Sequence, residues 1–191
     1  MLLKFIGCLS SLAAAACFAL SAAELPDLPE PVSNNAVASV TIRGKTYVVS
    51  FMGIGPGKQH SDIHNKVFMH TLGEFGWHEM PDVPSQQRLQ GRVAASAVAL
   101  NNNFFVFGGF AVNADGTEQT AADSYRFDPI TKRYTRLNDI PVPVDDAVAL
   151  TYQNRYIYLV SGWSDHGNVN LVQVFDNYTQ RWSQATPFPG K

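Results

Sequence analysis

Three times along the chain an aromatic residue stands seven positions before a proline that follows a large apolar residue: Trp77 before Val83-Pro84, Tyr134 before Ile140-Pro141, and Trp182 before Phe188-Pro189. Seven positions upstream of these aromatics lie His70, Phe127 and Phe175, the last two followed by Asp128 and Asp176. Further upstream, Gly53, Gly109 and Gly162 end or follow apolar runs at 47–52, 104–108 and 156–161, and they stand 56 and 53 residues apart. A repeat of roughly 50 residues, cut into four short apolar runs by Gly, Asn, Asp and Pro, constrains the fold more than any single residue does. Each unit is one small sheet that must stack on its neighbours to bury its faces.

The runs assign strands to 36–42, 45–52, 66–71 and 75–80 in the first unit, 93–100, 104–108, 124–128 and 133–137 in the second, and 147–152, 156–161, 170–176 and 181–184 in the third. Arg43-Gly44 and the triplet Asn101 to Asn103 supply tight turns, since Gly and Asn accept positive φ at little cost. Ala94, Ala95, Ser96, Ala97 and Ala99 are small enough for an innermost strand where sheets crowd around an axis. Trp77, Tyr134 and Trp182 fall on outer strands, where bulk fills the wedge between sheets.

In these positions the chain resembles the kelch-repeat family. The run from Gly91 to Gly109 carries the full double glycine, whereas the other units have Met52-Gly53 and Ser161-Gly162. The resemblance implies an all-β, kelch-type β-propeller with three four-stranded blades at about 36–84, 92–141 and 146–189. Propellers close with typically 4–8 blades. Three blades are therefore expected to form a partial ring, a fragment of a six- or seven-bladed propeller, whose partners are the remaining blades of the same chain or another copy.

Before the repeats, Lys4 precedes an apolar run at 5–20 and then Ser21-Ala22-Ala23, the pattern of a secretory signal peptide spanning 1–23 ahead of a propeller domain at 24–191. A lipoprotein box ending at Cys17 is the alternative. Export to a secreted or periplasmic location follows, with no membrane span expected, since the run is short for one. Both cysteines, Cys8 and Cys17, lie in this segment, so no disulfide framework is expected after it. The formal charge of −2 becomes −3 without Lys4, and no run concentrates Lys and Arg, so no nucleic-acid partner is expected.

In a four-stranded blade the long loops at 54–65, 110–123 and 163–169 and the connectors at 81–92 and 139–146 emerge on one face, where ligand sites gather. Arg92, Asp145 and Asp146 open innermost strands and are expected at the mouth of the axial channel, with Arg92 either binding a ligand carboxylate or pairing with Asp145 or Asp146. Trp163 with Asp165 and His166 has the chemistry to stack on a sugar ring and bond its hydroxyls. The alternative is that the tryptophan caps the blade. His60, Asp62 and His64 alternate as metal-capable side chains, against the plainer possibility of scattered loop residues; His64 is also carried as a polar ligand-binding candidate. Asp128 and Asp176 are expected as turn residues. Asn177-Tyr178-Thr179 is a glycosylation sequon in form.

Two groups of kelch propellers bear on chemistry. The copper-radical galactose oxidases depend on a cysteine joined to a tyrosine, and with no cysteine after residue 23 no such cofactor is expected. The stretch 91–109 is similar to the early repeats of the bacterial periplasmic N-acetylneuraminate epimerase family, which implies a sugar mutarotase as one possible activity. The expectation is a propeller that recognises a small polar ligand or glycan, a carbohydrate first among these, on its loop-bearing face. A sialic acid mutarotase and a protein-interaction platform are the alternatives. No cofactor is expected and no catalytic residue is assigned.

Overall fold

The computed structural model describes residues 25–86 and 89–189; the expected signal peptide at 1–23, with both cysteines, lies outside them. The first sheet comprises β1 (Ala36–Ile42), β2 (Lys45–Ile54), β3 (Ile63–Thr71) and β4 (His78–Met80), adjacent in that order, with one 3₁₀ turn at His60–Asp62. The second begins with β5 (Ser96–Leu100) and β6 (Asn103–Phe107), leaves the sheet for a two-stranded ribbon of β7 (Phe110–Val112) and β8 (Glu118–Thr120), and returns as β9 (Ser124–Asp128) and β10 (Arg133–Arg136). The third repeats the plan with β11 (Val148–Tyr152), β12 (Tyr156–Val160), a small ribbon of β13 (Trp163–Ser164) and β14 (Gly167–Asn168), then β15 (Val172–Asp176) and β16 (Arg181–Gln184). All pairings are antiparallel, and the innermost strands β1, β5 and β11 lie side by side. These are three four-stranded blades of a propeller.

Pairs of residues at positive φ make the first hairpin of every blade: Arg43 and Gly44, Asn101 and Asn102, Gln153 and Asn154. Their twist matches that of the flanking strands. Asp128 and Asp176 close the hairpin between the third and fourth strands, their Oδ1 atoms accepting the N–H groups of Ile130 and Tyr178, respectively, at 2.8 and 2.9 Å.

The chain enters each blade through a connector that crosses the end of the second strand. Ser33 bridges Ile54, Val93 bridges Phe110 and Asp145 bridges Trp163, each on the residue just after the repeat glycine. A Cβ added at Gly53, Gly109 or Gly162 would stand 2.8, 2.7 or 2.6 Å from the carbonyl oxygen of Ser33, Val93 or Asp145, so only glycine admits this approach. Next to the crossing, Asn34, Ala94 and Asp146 take positive φ and join blade to blade: Ala94 N donates to Asn34 O at 3.0 Å, and Asp146 N to Ala94 O at 2.9 Å. Here the structure departs from the expected edges. The innermost strands begin at Ser96 and Val148, because Ala94 and Asp146 are turned out of extended geometry to make these links. The fourth strand of the first blade is cut to three residues by the turns at Gly73 and Gly76, while β3 reaches back to Ile63 by pairing past a bulge at Met52.

Side chains between blades form two cores. Val49, Phe51, Val67 and Met69 of the first blade meet Phe104, Val106, Tyr125 and Phe127 of the second, with Phe51 edge-on to both Phe104 and Phe127 at 6.0 Å. Phe105 and Phe107 point the other way, onto Ile157, Leu159 and Phe175 of the third blade. Strand β6 is therefore buried on both faces, which explains an unbroken Phe-Phe-Val-Phe run where an exposed strand would alternate. Tyr134 lies on Phe127 at 4.8 Å and Trp182 against Phe107 at 5.7 Å, filling the wedges as their spacing predicts. Trp77 instead ties down the incoming chain, its indole N–H donating to Pro26 O at 2.8 Å.

The crossing makes a prediction. Gly109→Ala should lower the free energy of unfolding by about 2–4 kcal/mol, combining left-handed strain with collision against Val93 and Ala95. Gly116→Ala, also at positive φ but with nothing within 4 Å, should cost only about 1 kcal/mol. Urea denaturation of the two variants tests this; equal losses would mean that backbone strain alone, and not the crossing, sets the requirement.

Candidate functional site

Between the second and third blades the loop ends enclose a cleft of about 480 Å³, lined by Phe110, Glu118, Thr120, Asp145, Asp146, Trp163 and Asp165. Its floor is the third crossing. Asp145 N donates to Trp163 O and Trp163 N to Asp145 O, both at 2.9 Å, so one bridge sets an acid beside an aromatic. Asp145 is 3% exposed, whereas the Trp163 side chain stands at the surface, 48% exposed. From the second blade, the β7–β8 ribbon brings in Thr120, whose hydroxyl donates to Asp145 Oδ2 at 3.2 Å and whose N–H donates to Asp165 Oδ1 at 2.8 Å. One threonine thus couples carboxylates from two different segments of the next blade.

Four carboxylates share this cleft without a Lys or Arg in its lining. The consequence falls on Asp145: burial, and then the neighbouring Asp146, Glu118 and Asp165, outweigh the Thr120 bond and push its carboxyl up to about 6.

The structure places Asp145, Asp146, Trp163 and Asp165 in one cleft and separates the other candidates from it. Arg92 is corrected most. It is 1% exposed and lies beneath the surface, donating to Gly108 O at 3.1 Å and Pro84 O at 3.3 Å, with Asp123 at 3.9 Å as its ion partner in place of Asp145 or Asp146. It occupies the connector position that Val32 and Val144 hold in the other blades, and there the connector runs inward. Burial lowers the pKa of its guanidinium and Asp123 opposes this. His166 sits exposed at the tip of the β13–β14 ribbon and is not in the cleft lining. His64 lies on β3 with Glu30 3.8 Å away, its pKa lowered first by burial. The metal candidates do not converge: His60 is exposed, Asp62 accepts the N–H of Gln59 at 2.9 Å to close its own turn, and among the described residues no group of three His, Cys, Asp or Glu side chains is placed to hold a metal ion.

Sequence reasoning missed Phe110, Glu118 and Thr120. The first follows Gly109 as Trp163 follows Gly162, so the repeat register pointed to it. The other two are placed by a hairpin whose signal, Asp115-Gly116 between short apolar and polar runs, was present in the sequence.

Comparison with solved structures returns a propeller: the structure of YjhT superposes with a TM-score of 0.65, at 18% identity, covering 86% of this chain and 54% of that one. Kelch-like protein 25 of Xenopus tropicalis is 27% identical over 85% of this chain, and N-acetylneuraminate epimerase of Pasteurella multocida is 28% identical over 78% of it. The chain is a kelch-repeat β-propeller. It spans 24% and 36% of the lengths of those two relatives. No protein-family model matches it. Within the kelch unit, the cleft falls at the crossing that every blade makes, and only in the third does that crossing carry an acid and a tryptophan.

The pKa of Asp145 yields a second prediction. Because its pKa is raised in the folded state, stability is highest where it is protonated in both states, below about pH 4, and its share is lost as pH rises through about 6. Asp145→Asn should abolish that loss and raise stability at pH 7.5 by about 1–3 kcal/mol over wild type, with little difference at pH 3.5. Paired thermal melts across this range check it; parallel curves at every pH would show that the carboxylate is solvated in both states.

Proposed function

We propose that this is an exported kelch propeller that binds a carbohydrate in the cleft between its second and third blades. The observation that carries this is the pairing at the third crossing of an exposed indole with a buried acid. Saccharides present apolar ring faces edged by hydroxyl groups. An indole offers a flat apolar surface to the first, and carboxylate oxygens accept bonds from the second. Thr120 and Asp165, fixed to each other, add a rigid polar wall, and a cleft of about 480 Å³ has the size of a small-ligand site. The signal-peptide pattern of residues 1–23 supports export, and among the described residues no helix is long and apolar enough to cross a membrane.

A specific feature favours a second reading, a sugar mutarotase. Asp145, with its carboxyl near 6, is the group in the cleft best matched to moving a proton at neutral pH, giving it to a ring oxygen or taking it from an anomeric hydroxyl. A relative named N-acetylneuraminate epimerase belongs with that reading.

Glycan-array screening followed by titration of the best ligand tests the binding. Trp163→Ala should weaken it at least tenfold, the effect of losing about 1.4 kcal/mol of ring contact. A glycan bound equally well by the variant would place the site elsewhere, and no glycan bound at all would turn attention to a protein partner. For the second reading, wild type should speed the exchange of sugar anomers seen by NMR, and Asp145→Asn should return it to the buffer rate.

A further inference from the structure

We propose that the cleft selects a saccharide bearing a free, positively charged amine and rejects acidic sugars. This rests on the carbohydrate reading above and goes further by fixing the charge of the ligand. The lining holds Glu118, Asp145, Asp146 and Asp165 and no basic side chain; Arg92, a basic candidate of the loop face, is sealed under the surface against Gly108, Pro84 and Asp123. None of the four carboxylates takes part in an ion pair among the described residues. A ligand carboxylate would enter this field unpaired, desolvated and repelled.

A second observation concerns Asp145 itself. Its side chain is more than nine-tenths buried and lines the cleft, yet among the described residues it accepts a single hydrogen bond, from Thr120 to Oδ2. Oδ1 is not one of the buried atoms that lack a partner, and Asp145 lines the cleft, where a ligand can reach it. A carboxylate oxygen on the cleft wall accepts an N–H or O–H group from a ligand, and an ammonium suits it best, since it carries three donors and the neutralising charge. The raised pKa of Asp145 comes first from its burial, and the neighbouring Asp146, Glu118 and Asp165 add to it. Trp163 adds the remaining component of ammonium recognition. It stands at the rim of the same cleft, bound through its backbone to Asp145, and an indole face attracts a cation as well as a sugar ring. An amino sugar satisfies both: its ring lies on the indole while its amine points down to Asp145, with Asp165, Asp146 and Glu118 supplying the surrounding negative potential.

The experiment is a calorimetric titration at pH 7.0 of the intact chain with three matched probes: a glucosamine oligosaccharide with free amines, its fully N-acetylated counterpart, and N-acetylneuraminate. The amine-bearing oligosaccharide should bind at least tenfold more tightly than the acetylated one, N-acetylneuraminate should not bind measurably, and the preference should shrink as salt is raised. Asp145→Asn should bring the first two probes to within about twofold of each other. Asp146→Asn, on an exposed side chain, provides a second variant that folds independently of any change at the buried site and should reduce the preference without abolishing it. Binding of N-acetylneuraminate as tightly as the amine, or equal binding of the amine and acetylated probes, overturns the charge assignment and leaves the carbohydrate site standing. Failure of all three probes, together with no bound glycan on the array, removes both.

Discussion

The crossing of two backbones at the end of each second strand is the contact on which the rest of this structure depends. A glycine at that point lies against the carbonyl of the connector entering its own blade and donates its N–H to the connector of the next: Gly53 N to Arg92 O at 3.0 Å, Gly109 N to Val144 O at 3.2 Å. It is held from both sides. The connector therefore cannot drift, the residue after the glycine is bridged to it, and the chain at Asn34, Ala94 and Asp146 turns to pass a hydrogen bond to its neighbour blade. The small inner strands follow from this, because blades tied this closely at one end leave little room beside the axis. So do the large aromatics at the outside, where the same blades diverge and Tyr134 and Trp182 make up the difference.

The interfaces are not equivalent in chemistry. That between the first and second blades buries a guanidinium, which touches the connector of one blade through Pro84 and the strand end of the other through Gly108, with Asp123 alongside. Its Nε finds no partner among the described residues. A buried charge satisfied mainly by carbonyl oxygens offers little net stability, but its geometry fixes how two blades sit together. That between the second and third blades has valine at the corresponding point, Val144, and places its charges at the surface end of the connector instead. The polar groups of the two interfaces therefore do opposite work, one locking the blades and the other facing the cleft.

The interval from aromatic to proline, and from glycine to glycine, was enough to recover the strand order, since both intervals measure a distance around a blade that the crossing imposes. The strand edges near residues 93–96 and 146–148 were not recoverable, because positive φ at Ala94 and Asp146 answers to a hydrogen bond from another blade and leaves no mark on the local sequence. Arg92 shows the same limit. Being charged and next to a loop, it looked exposed, and only the inward path of the connector shows otherwise. Asp145 and Trp163 were both legible as loop-face residues eighteen positions apart. Their direct pairing required the crossing, and Thr120 joined them from a ribbon of another blade that no spacing within the third repeat reports.

Comparing the crossings with one another makes the case for function at the third. Val93 and Asp145 occupy the same position of the repeat, each bridged to the residue after the glycine and each 3% exposed. The fold thus accepts a buried valine at this position. Placing a carboxylate in that space costs desolvation energy, returned in part by one hydroxyl, and the cost shows in the raised pKa of the group. The blade gains no ion pair from it and only the one bond from the Thr120 hydroxyl that a valine lacks, for the bridge is made by backbone in both cases. A side chain that weakens the fold at a position where an apolar one suffices is explained by what it does for a molecule in the cleft, and the tryptophan fixed beside it by the same bridge narrows what that molecule can be.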